Sequence, residues 1–248
     1  VPVAHLHGGE TSEGAFDESI RHAVTKMAHL HFVAAPEYRN RVVQMGEHPD
    51  RVFVVGGLGV DGMKRLKLLN RQALEKALDL EFSNRNLLIT YHPETLDPAS
   101  LKHMDELLAA LALLDDTLLI FTRPNADTEG RVFWAKVESF VESHPTARVF
   151  TSLGHLRYLS CVAQVDGVIG NSSSGLTEVP SLHRGTVNVG DRQRGRLRAT
   201  SVIDCQPDRT SIAAAIERLY SHEFRESLPA TRNPYGEGGA SQNVVNIL

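Results

Sequence analysis

Hydrophobic and polar positions along the chain follow two alternating patterns. Short apolar runs such as "NLLIT", "TLLIF" and "GVIG" lie between longer segments whose apolar residues recur every three or four positions. The runs predict strands at residues 3–6, 30–34, 51–57, 86–93, 117–125, 147–153, 165–170 and 185–190. The periodic segments predict helices at 15–30, 36–46, 70–80, 98–114, 132–143, 155–163 and 211–220. A further helix is expected after the serines near residue 172, and a short one from about residue 239. The first helix carries Ile20, Val24 and Met27 at helical spacing and should bury them. Pro36 starts the second and Gly46 ends it.

Apolar strands joined by helical connections of this length form parallel βαβ units. The expected fold is α/β and doubly wound. A seam is expected near residues 59–69, with a complete second unit after it. The part before the seam holds few units. The chain also opens on the strand-like "PVAHL" without an initiator methionine, so the front of the first unit is expected to lie upstream.

Composition leaves this picture in place and narrows the partners. Hydrophobic residues make up 42% and charged residues 23%, ordinary for a soluble globular protein. No apolar run reaches the ~18 residues of a membrane span. The net charge of −4 argues against a nucleic-acid partner, which needs a basic field. Cys161 and Cys205 lie far apart in apolar surroundings, form no disulfide framework or zinc site, and fit a reducing cytoplasm.

Two stretches carry chemistry. The first is "VDGVIGNSSSGLTEVP", which places Asn171, Ser172, Ser173 and Ser174 between a strand and a helix. Ligands of open α/β sheets bind at such strand ends, and a helix N-terminus attracts anions. Three hydroxyls there suit a diphosphate, and Glu178 is placed to accept from a ribose diol. No lysine follows the glycine and no G-x-G-x-x-G is present, so this is neither a Walker loop nor a standard dinucleotide site. The plainer alternative is a serine that caps the helix. Other predicted strand ends supply His92, then Arg123, Asn125 and Asp127, then residues 153–155, and finally Arg192, Arg194 and Arg196. Together they form a donor-rich, positive rim.

The second stretch is "AHLHGGETSEGAFDESIRH", with His5, His7, Glu10, Glu13, Asp17, Glu18, Arg21 and His22. His5 and His7 alternate on a strand and should point the same way. Asp17–Arg21 and Glu18–His22 have the i,i+4 spacing of helical ion pairs. Such a cluster suits proton transfer. His-x-His with an acid is also a metal-ligand pattern, although Gly8-Gly9 suggests close backbone approach instead. A capped helix with solvated ion pairs is the non-catalytic alternative.

Six segments taken in order, "HLHGGETSEGAFDESIRHAVTKMAHLHF", "VGGLGVD", "YHPET", "RPNAD", "IGNSSSGLTEVP" and "VNVGDRQRGR", span nearly the whole chain. Together they resemble the hydrolysing UDP-N-acetylglucosamine 2-epimerases, in the branch of bacterial sialic- and legionaminic-acid biosynthesis. The resemblance implies a GT-B-type fold of two Rossmann-like domains with the site in the cleft. Residues 1–66 would be the C-terminal part of the first domain, 67–230 the nucleotide-binding domain, and 231–248 a segment packing back towards the first. It implies a cytoplasmic homo-oligomer, a dimer or tetramer, that needs no metal or redox cofactor and takes a UDP-sugar. The implied reaction turns UDP-N-acetylglucosamine and water into N-acetylmannosamine and UDP, by anti elimination of UDP and hydration of the resulting glucal.

By position, the resemblance makes Glu10, Asp17, Glu18 and His92 the catalytic candidates. His7, Arg21, Asn125, Arg131, Ser172, Ser173, Glu178 and Arg192 would bind substrate. This chain departs from many relatives in carrying His7 where they have glutamate, so the family acid role falls to either His7 or Glu10. A GT-B glycosyltransferase, or a fragment that binds UDP-sugar without turnover, are the competing functions.

Overall fold

The structure, a computed structural model, describes residues 1–13, 17–94, 97–123 and 130–248. Among these, nine strands form two wholly parallel sheets. The smaller sheet pairs β1 (Ala4–Leu6), β2 (Leu30–Val33) and β3 (Val52–Val54) in sequence order. The larger contains β4 (Arg85–Thr90), β5 (Thr117–Thr122), β6 (Ala147–Phe150), β7 (Gly167–Gly170), β8 (Gly185–Val189) and β9 (Val202–Cys205). Its order, β6-β5-β4-β7-β8-β9, is the Rossmann arrangement, in which winding reverses between the first and fourth strands. Here those are β4 and β7, joined in register from Leu87–Gly167 to Thr90–Gly170.

The larger sheet explains why its strands read as unbroken apolar runs. Both faces are covered, so successive side chains of β4 enter different cores. Leu87 and Ile89 pack with α5 (Ser100–Leu111), α6 (Gly130–Ser143) and α9 (Arg209–Tyr220). Leu88 packs with residues of α4 (Arg71–Leu78) and α7 (Gly154–Gln164). Asn70 starts α4 by accepting the Ala73 N–H at 2.9 Å.

The smaller sheet builds its core with α2 (Pro36–Gln44) and α3 (Leu58–Arg65), and borrows Leu159 of α7 and Tyr235 for it. Residues 58–65, where the sequence suggested a break between units, are therefore helical, with Val60 and Met63 buried. The last segment returns to this part. Gly57 N donates to the Tyr235 carbonyl at 2.7 Å, and the Tyr38 and Tyr235 hydroxyls meet at 2.8 Å. Asp61 accepts the N–H groups of Ala240 and Ser241 at the start of α11 (Ala240–Ile247), at 3.0 and 2.6 Å. Burial pushes the Asp61 carboxyl up, but these donors outweigh it and hold it below the usual range.

Several elements differ from the sequence pattern. The helix predicted over 15–30 is described as α1 (Asp17–Met27), and its apolar stripe is not buried. Ile20 is 55% and Met27 64% exposed, while Thr25 is the residue turned inward. The inward face of α1 is polar because it meets His5 and the cavity described below, leaving the apolar face in solvent. Strand β9 and the short α10 (His222–Ser227) went unread. The helix after the serines, α8 (Ser174–Thr177), lasts one turn and passes into a 3-10 turn at Val179–Leu182. Pro180 has no N–H to continue it. No helix of the described residues is long and apolar enough to cross a membrane.

Candidate functional site

The C-terminal ends of both sheets face a cavity of about 340 Å³. Its walls include His7, Glu10 and Arg21 from the front segment, Ser173 and Thr177 from the serine loop, and Arg196 from the connection after β8. Stretches far apart in sequence thus converge where strand-end chemistry was expected.

The front corner is built from charge. β1 ends at Leu6, and His7 leaves it with φ 63°, a left-handed conformation costly for a non-glycine residue. The turn breaks the expected shared face: His5 is buried against the Thr25 hydroxyl at 3.1 Å, while His7 lines the cavity. Gly9 makes the turn possible, since a side chain there would meet the Tyr38 carbonyl at 2.4 Å. His7 Nδ1 lies 2.9 Å from Glu10 Oε1, and the Leu58 N–H points to Nε2 at 3.4 Å. An N–H aimed at Nε2 requires a lone pair there, so the ring proton sits on Nδ1 and donates to Glu10.

The other oxygen of Glu10 meets Arg196 at 3.2 Å. Arg196 also donates to the Thr11 carbonyl and the Ser12 hydroxyl, at 2.7 and 3.2 Å. Arg21 donates to the Glu10 carbonyl at 3.2 Å and to Ser12 at 3.0 Å. Burial raises the Glu10 carboxyl, but the His7 hydrogen bond and the charges of Arg196 and Arg21 outweigh it. Glu10 is therefore a carboxylate held below its ordinary range although only 6% exposed.

The helical ion pairs form only in part. Arg21 pairs with Glu18 at i,i+3, not with Asp17, because Glu18 also accepts the Ser12 N–H at 2.9 Å and is drawn to that side. Glu18–His22 forms at 3.2 Å. Asp17 is exposed in the first turn of α1.

The rear corner, whose residues are not among those lining the cavity, lies at the switch between β4 and β7. Gly170, at φ 146°, brings the end of β7 so close to Thr90 that a side chain would meet its carbonyl at 2.0 Å. Just beyond, the Asn171 carboxamide accepts the His92 N–H at 2.7 Å and donates to the His92 carbonyl at 2.9 Å. The Asn171 carbonyl accepts from Arg192 at 3.1 Å and from Gln193 at 2.7 Å. Burial, with the Arg192 charge, pushes the His92 imidazole down to about 4, so it is neutral at pH 7. Burial also pushes the Glu94 carboxyl up, against the nearby Asn171 amide.

The remaining candidates are spread out. Ser173 reaches the cavity, whereas Ser174 is taken by the Tyr158 hydroxyl at 2.8 Å. Ser173 precedes α8 without a side-chain capping bond, and Ser172 is half-buried beside it. One helical turn carries little dipole, so hydroxyls and guanidinium groups are the donors this loop offers an anion. Glu178 lies against Gly59 and 3.7 Å from His155 Nε2. Arg131 stands exposed in the first turn of α6, away from the cavity lining. Asn125 and Asp127 lie outside the described residues. Of the three rim arginines, Arg194 is exposed near Glu13 at 3.9 Å and Arg196 faces Glu10, which leaves Arg192 at the rear corner. Among the described residues, no three His, Cys, Asp or Glu side chains gather as metal ligands.

Sequence reasoning placed Arg196 on the rim but missed its carboxylate partner, gave Asn171 no role of its own beside the serines, and passed over Glu94 and Tyr235. Those pairings join residues up to 197 positions apart, as Tyr38 and Tyr235 do, and no local spacing marks them.

The family model described as UDP-N-acetylglucosamine 2-epimerase matches residues 1–248. Polysialic acid biosynthesis protein P7 of Escherichia coli is 39% identical over 100% of this chain and 63% of its own length. GDP/UDP-N,N'-diacetylbacillosamine 2-epimerase (hydrolyzing) of Campylobacter jejuni is 40% identical over 92% of this chain and 59% of its own. UDP-N,N'-diacetylbacillosamine 2-epimerase (hydrolyzing) of Legionella pneumophila is 33% identical over 100% and 64%. The chain thus spans 59–64% of the length of these curated relatives. Among solved structures, UDP-GlcNAc 2-epimerase of Neisseria meningitidis bound to UDP-GlcNAc matches with a TM-score of 0.85 at 19% identity, over 100% of this chain and 69% of that one. At that identity the likeness speaks for the fold, the GT-B-like α/β architecture of Rossmann-like units.

Proposed function

The chain belongs to the UDP-N-acetylglucosamine 2-epimerase family, and from that premise we propose that the protein is a hydrolysing 2-epimerase acting on a UDP-linked 2-acetamido sugar. UDP-N-acetylglucosamine is the first candidate. The names of the Campylobacter and Legionella relatives make UDP-N,N'-diacetylbacillosamine the second. The observation that carries the reading is the buried, ionised Glu10 held 2.9 Å from His7 in a cavity shared with the serine loop.

Both oxygens of Glu10 are occupied, by His7 and by Arg196, while the His7 side chain is 37% exposed. Glu10 therefore orients the imidazole, and His7 Nε2 is the proton acceptor once it gives up the long 3.4 Å contact from the Leu58 N–H. The C2–H bond breaks towards His7 and its electrons form the C1=C2 double bond. The bond from C1 to the UDP oxygen breaks, and UDP leaves with that electron pair. Water then adds, its hydroxyl to C1 and a proton to C2 on the opposite face. Inversion needs a second acid on that face. Asp17, one turn from Arg21 on the same side of α1, is our candidate for it. Ser172, Ser173, Arg192 and neutral His92 take the diphosphate, and Glu178 the ribose.

The purified protein is incubated with each UDP-sugar in deuterated water and followed by proton NMR. The expected product is the free 2-epimer with deuterium at C2, together with UDP. UDP release with the original hydrogen kept at C2 overturns the elimination, and absence of turnover on both sugars overturns the substrate class.

A further inference from the structure

At the switch point the loops after β4, β7 and β8 meet, and one fully buried side chain and its peptide touch all three. The Asn171 carboxamide makes two opposed bonds to the backbone of one residue, accepting the His92 N–H at 2.7 Å and donating to the His92 carbonyl at 2.9 Å. Its own backbone N–H donates to the Thr90 carbonyl at 3.2 Å, and its carbonyl accepts from Arg192 and Gln193 at 3.1 and 2.7 Å.

We infer that Asn171 is the positioning residue of the rear corner, fixing the backbone of His92 and the guanidinium of Arg192 in one frame so that both address the same diphosphate. The diphosphate rests on the function proposed above; the frame rests on the hydrogen bonds alone. Only a carboxamide of this length both accepts and donates here. Aspartate keeps the acceptor and loses the donor, and a shorter serine reaches one group at most. A single residue in contact with three loops can hold two ligand groups in register where loop backbone alone would drift.

Asn171 hydrogen-bonds Glu94, whose charged and titratable neighbours are Asp97 from the connection after β4, His103 from α5 and Arg192 from the connection after β8; Arg192 also acts on His92. Asn171→Asp would set a second carboxyl among them. Two neighbouring carboxyls do not both ionise readily, so one keeps its proton well above the ordinary range. That proton is a hydrogen-bond donor at low pH and is lost as pH rises.

The test uses Asn171→Asp, Asn171→Ala and Asn171→Ser in the whole protein. In Asn171→Asp, kcat and UDP affinity should fall at pH 8, by about ten- to a hundredfold in kcat, and recover towards pH 6. Asn171→Ala should lose as much at both pH values. By NMR, the His92 ring of Asn171→Asp should titrate at a higher pH than in the parent protein, since a negative charge has come close. A ring titration and pH profile unchanged from the parent overturn the inference. Should Asn171→Asp fail to fold, Asn171→Ala decides: the His92 amide should exchange its hydrogen at least about tenfold faster, since it loses its acceptor. Unchanged exchange overturns the inference. Ring titration and amide exchange need no substrate, so a protein that turns over no UDP-sugar refutes the proposed activity and leaves this test intact.

Discussion

Glu10 at the front corner and Glu94 at the rear are buried to nearly the same degree, 6% and 8% exposed. Their carboxyl groups nonetheless move in opposite directions. Burial pushes both up, but at Glu10 the His7 hydrogen bond and the charges of Arg196 and Arg21 reverse it, whereas at Glu94 the Asn171 amide only moderates it. Burial alone therefore does not decide the charge of a buried acid; its partners do. The front corner keeps an anion that an imidazolium can lean on. At the rear corner burial keeps His92 neutral and raises the Glu94 carboxyl.

The largest effect should come from neutralising the front acid. Glu10→Gln removes the charge that stabilises protonated His7, and kcat should fall about 10²–10⁴-fold. Glu94→Gln removes a charge that burial disfavours, and should retain most of the activity. Steady-state kinetics of the two variants side by side check the contrast, and equal losses would break it.

Next in size is the pair of Arg196 with Glu10. Arg196 and Glu10 form an ion pair with side chains 9% and 6% exposed. Arg196→Met leaves a buried carboxylate with His7 as its remaining side-chain partner and should cost about 3 kcal/mol of stability in urea denaturation. In the Glu10→Gln background the same substitution should cost much less, because no charge is stranded. Additive losses in that cycle would mean that Arg196 acts through its bonds to Thr11 and Ser12 instead.

Acid should separate Glu94 from both His92 and Glu10 by sign. The His92 imidazole titrates near 4 when folded, against an ordinary 6.5. Its contribution is complete above pH 6.5 and is lost as pH falls towards 4, in all about 3 kcal/mol. The depressed Glu10 carboxyl is lost on acidification in the same sense. The raised Glu94 carboxyl works the other way: the cost of burying its charge is relieved as pH falls. Thermal denaturation of the parent protein, His92→Gln and Glu94→Gln between pH 7.5 and 4.5 should show a shallower loss for His92→Gln and a steeper one for Glu94→Gln. The opposite order would show the two environments to be misassigned.

Much of this architecture was readable from local pattern. The apolar runs of β4, β5, β7 and β8 are unbroken because both faces of their sheet are covered, and that marked parallel strands correctly. The strand ends picked out His92, the serines and Arg192, of which Ser173 lines the cavity, and the dense front segment picked out His7, Glu10 and Arg21, which all line it. The failures share one cause. The stripe of Ile20, Val24 and Met27 announces a helix, but periodicity says nothing of which face meets the core, and here it is the face with Thr25 and Arg21. Likewise, "RQRGR" reads as three equivalent cations. The tertiary fold gives them separate tasks by sending Arg196 to a carboxylate 186 residues earlier in the chain, Arg192 to Asn171 and Arg194 towards solvent.

The three serines sharpen the comparison at its smallest scale. Local sequence treats Ser172, Ser173 and Ser174 alike, yet the fold places them differently. Ser174 Oγ accepts the hydroxyl of Tyr158, whose ionisation burial pushes far up, so the pair is a neutral tie between α7 and α8. Ser173 instead lines the cavity. Ser174→Ala should therefore cost about 1 kcal/mol of stability by leaving the tyrosine hydroxyl without that acceptor, and UDP affinity should be unchanged. Ser173→Ala should leave stability within about 0.5 kcal/mol and weaken UDP binding instead. Denaturation and UDP titration on both variants separate the roles. If Ser174→Ala weakens UDP as much as Ser173→Ala does, the loop acts as one anion cradle and the boundary between site and scaffold runs behind Ser174 rather than in front of it.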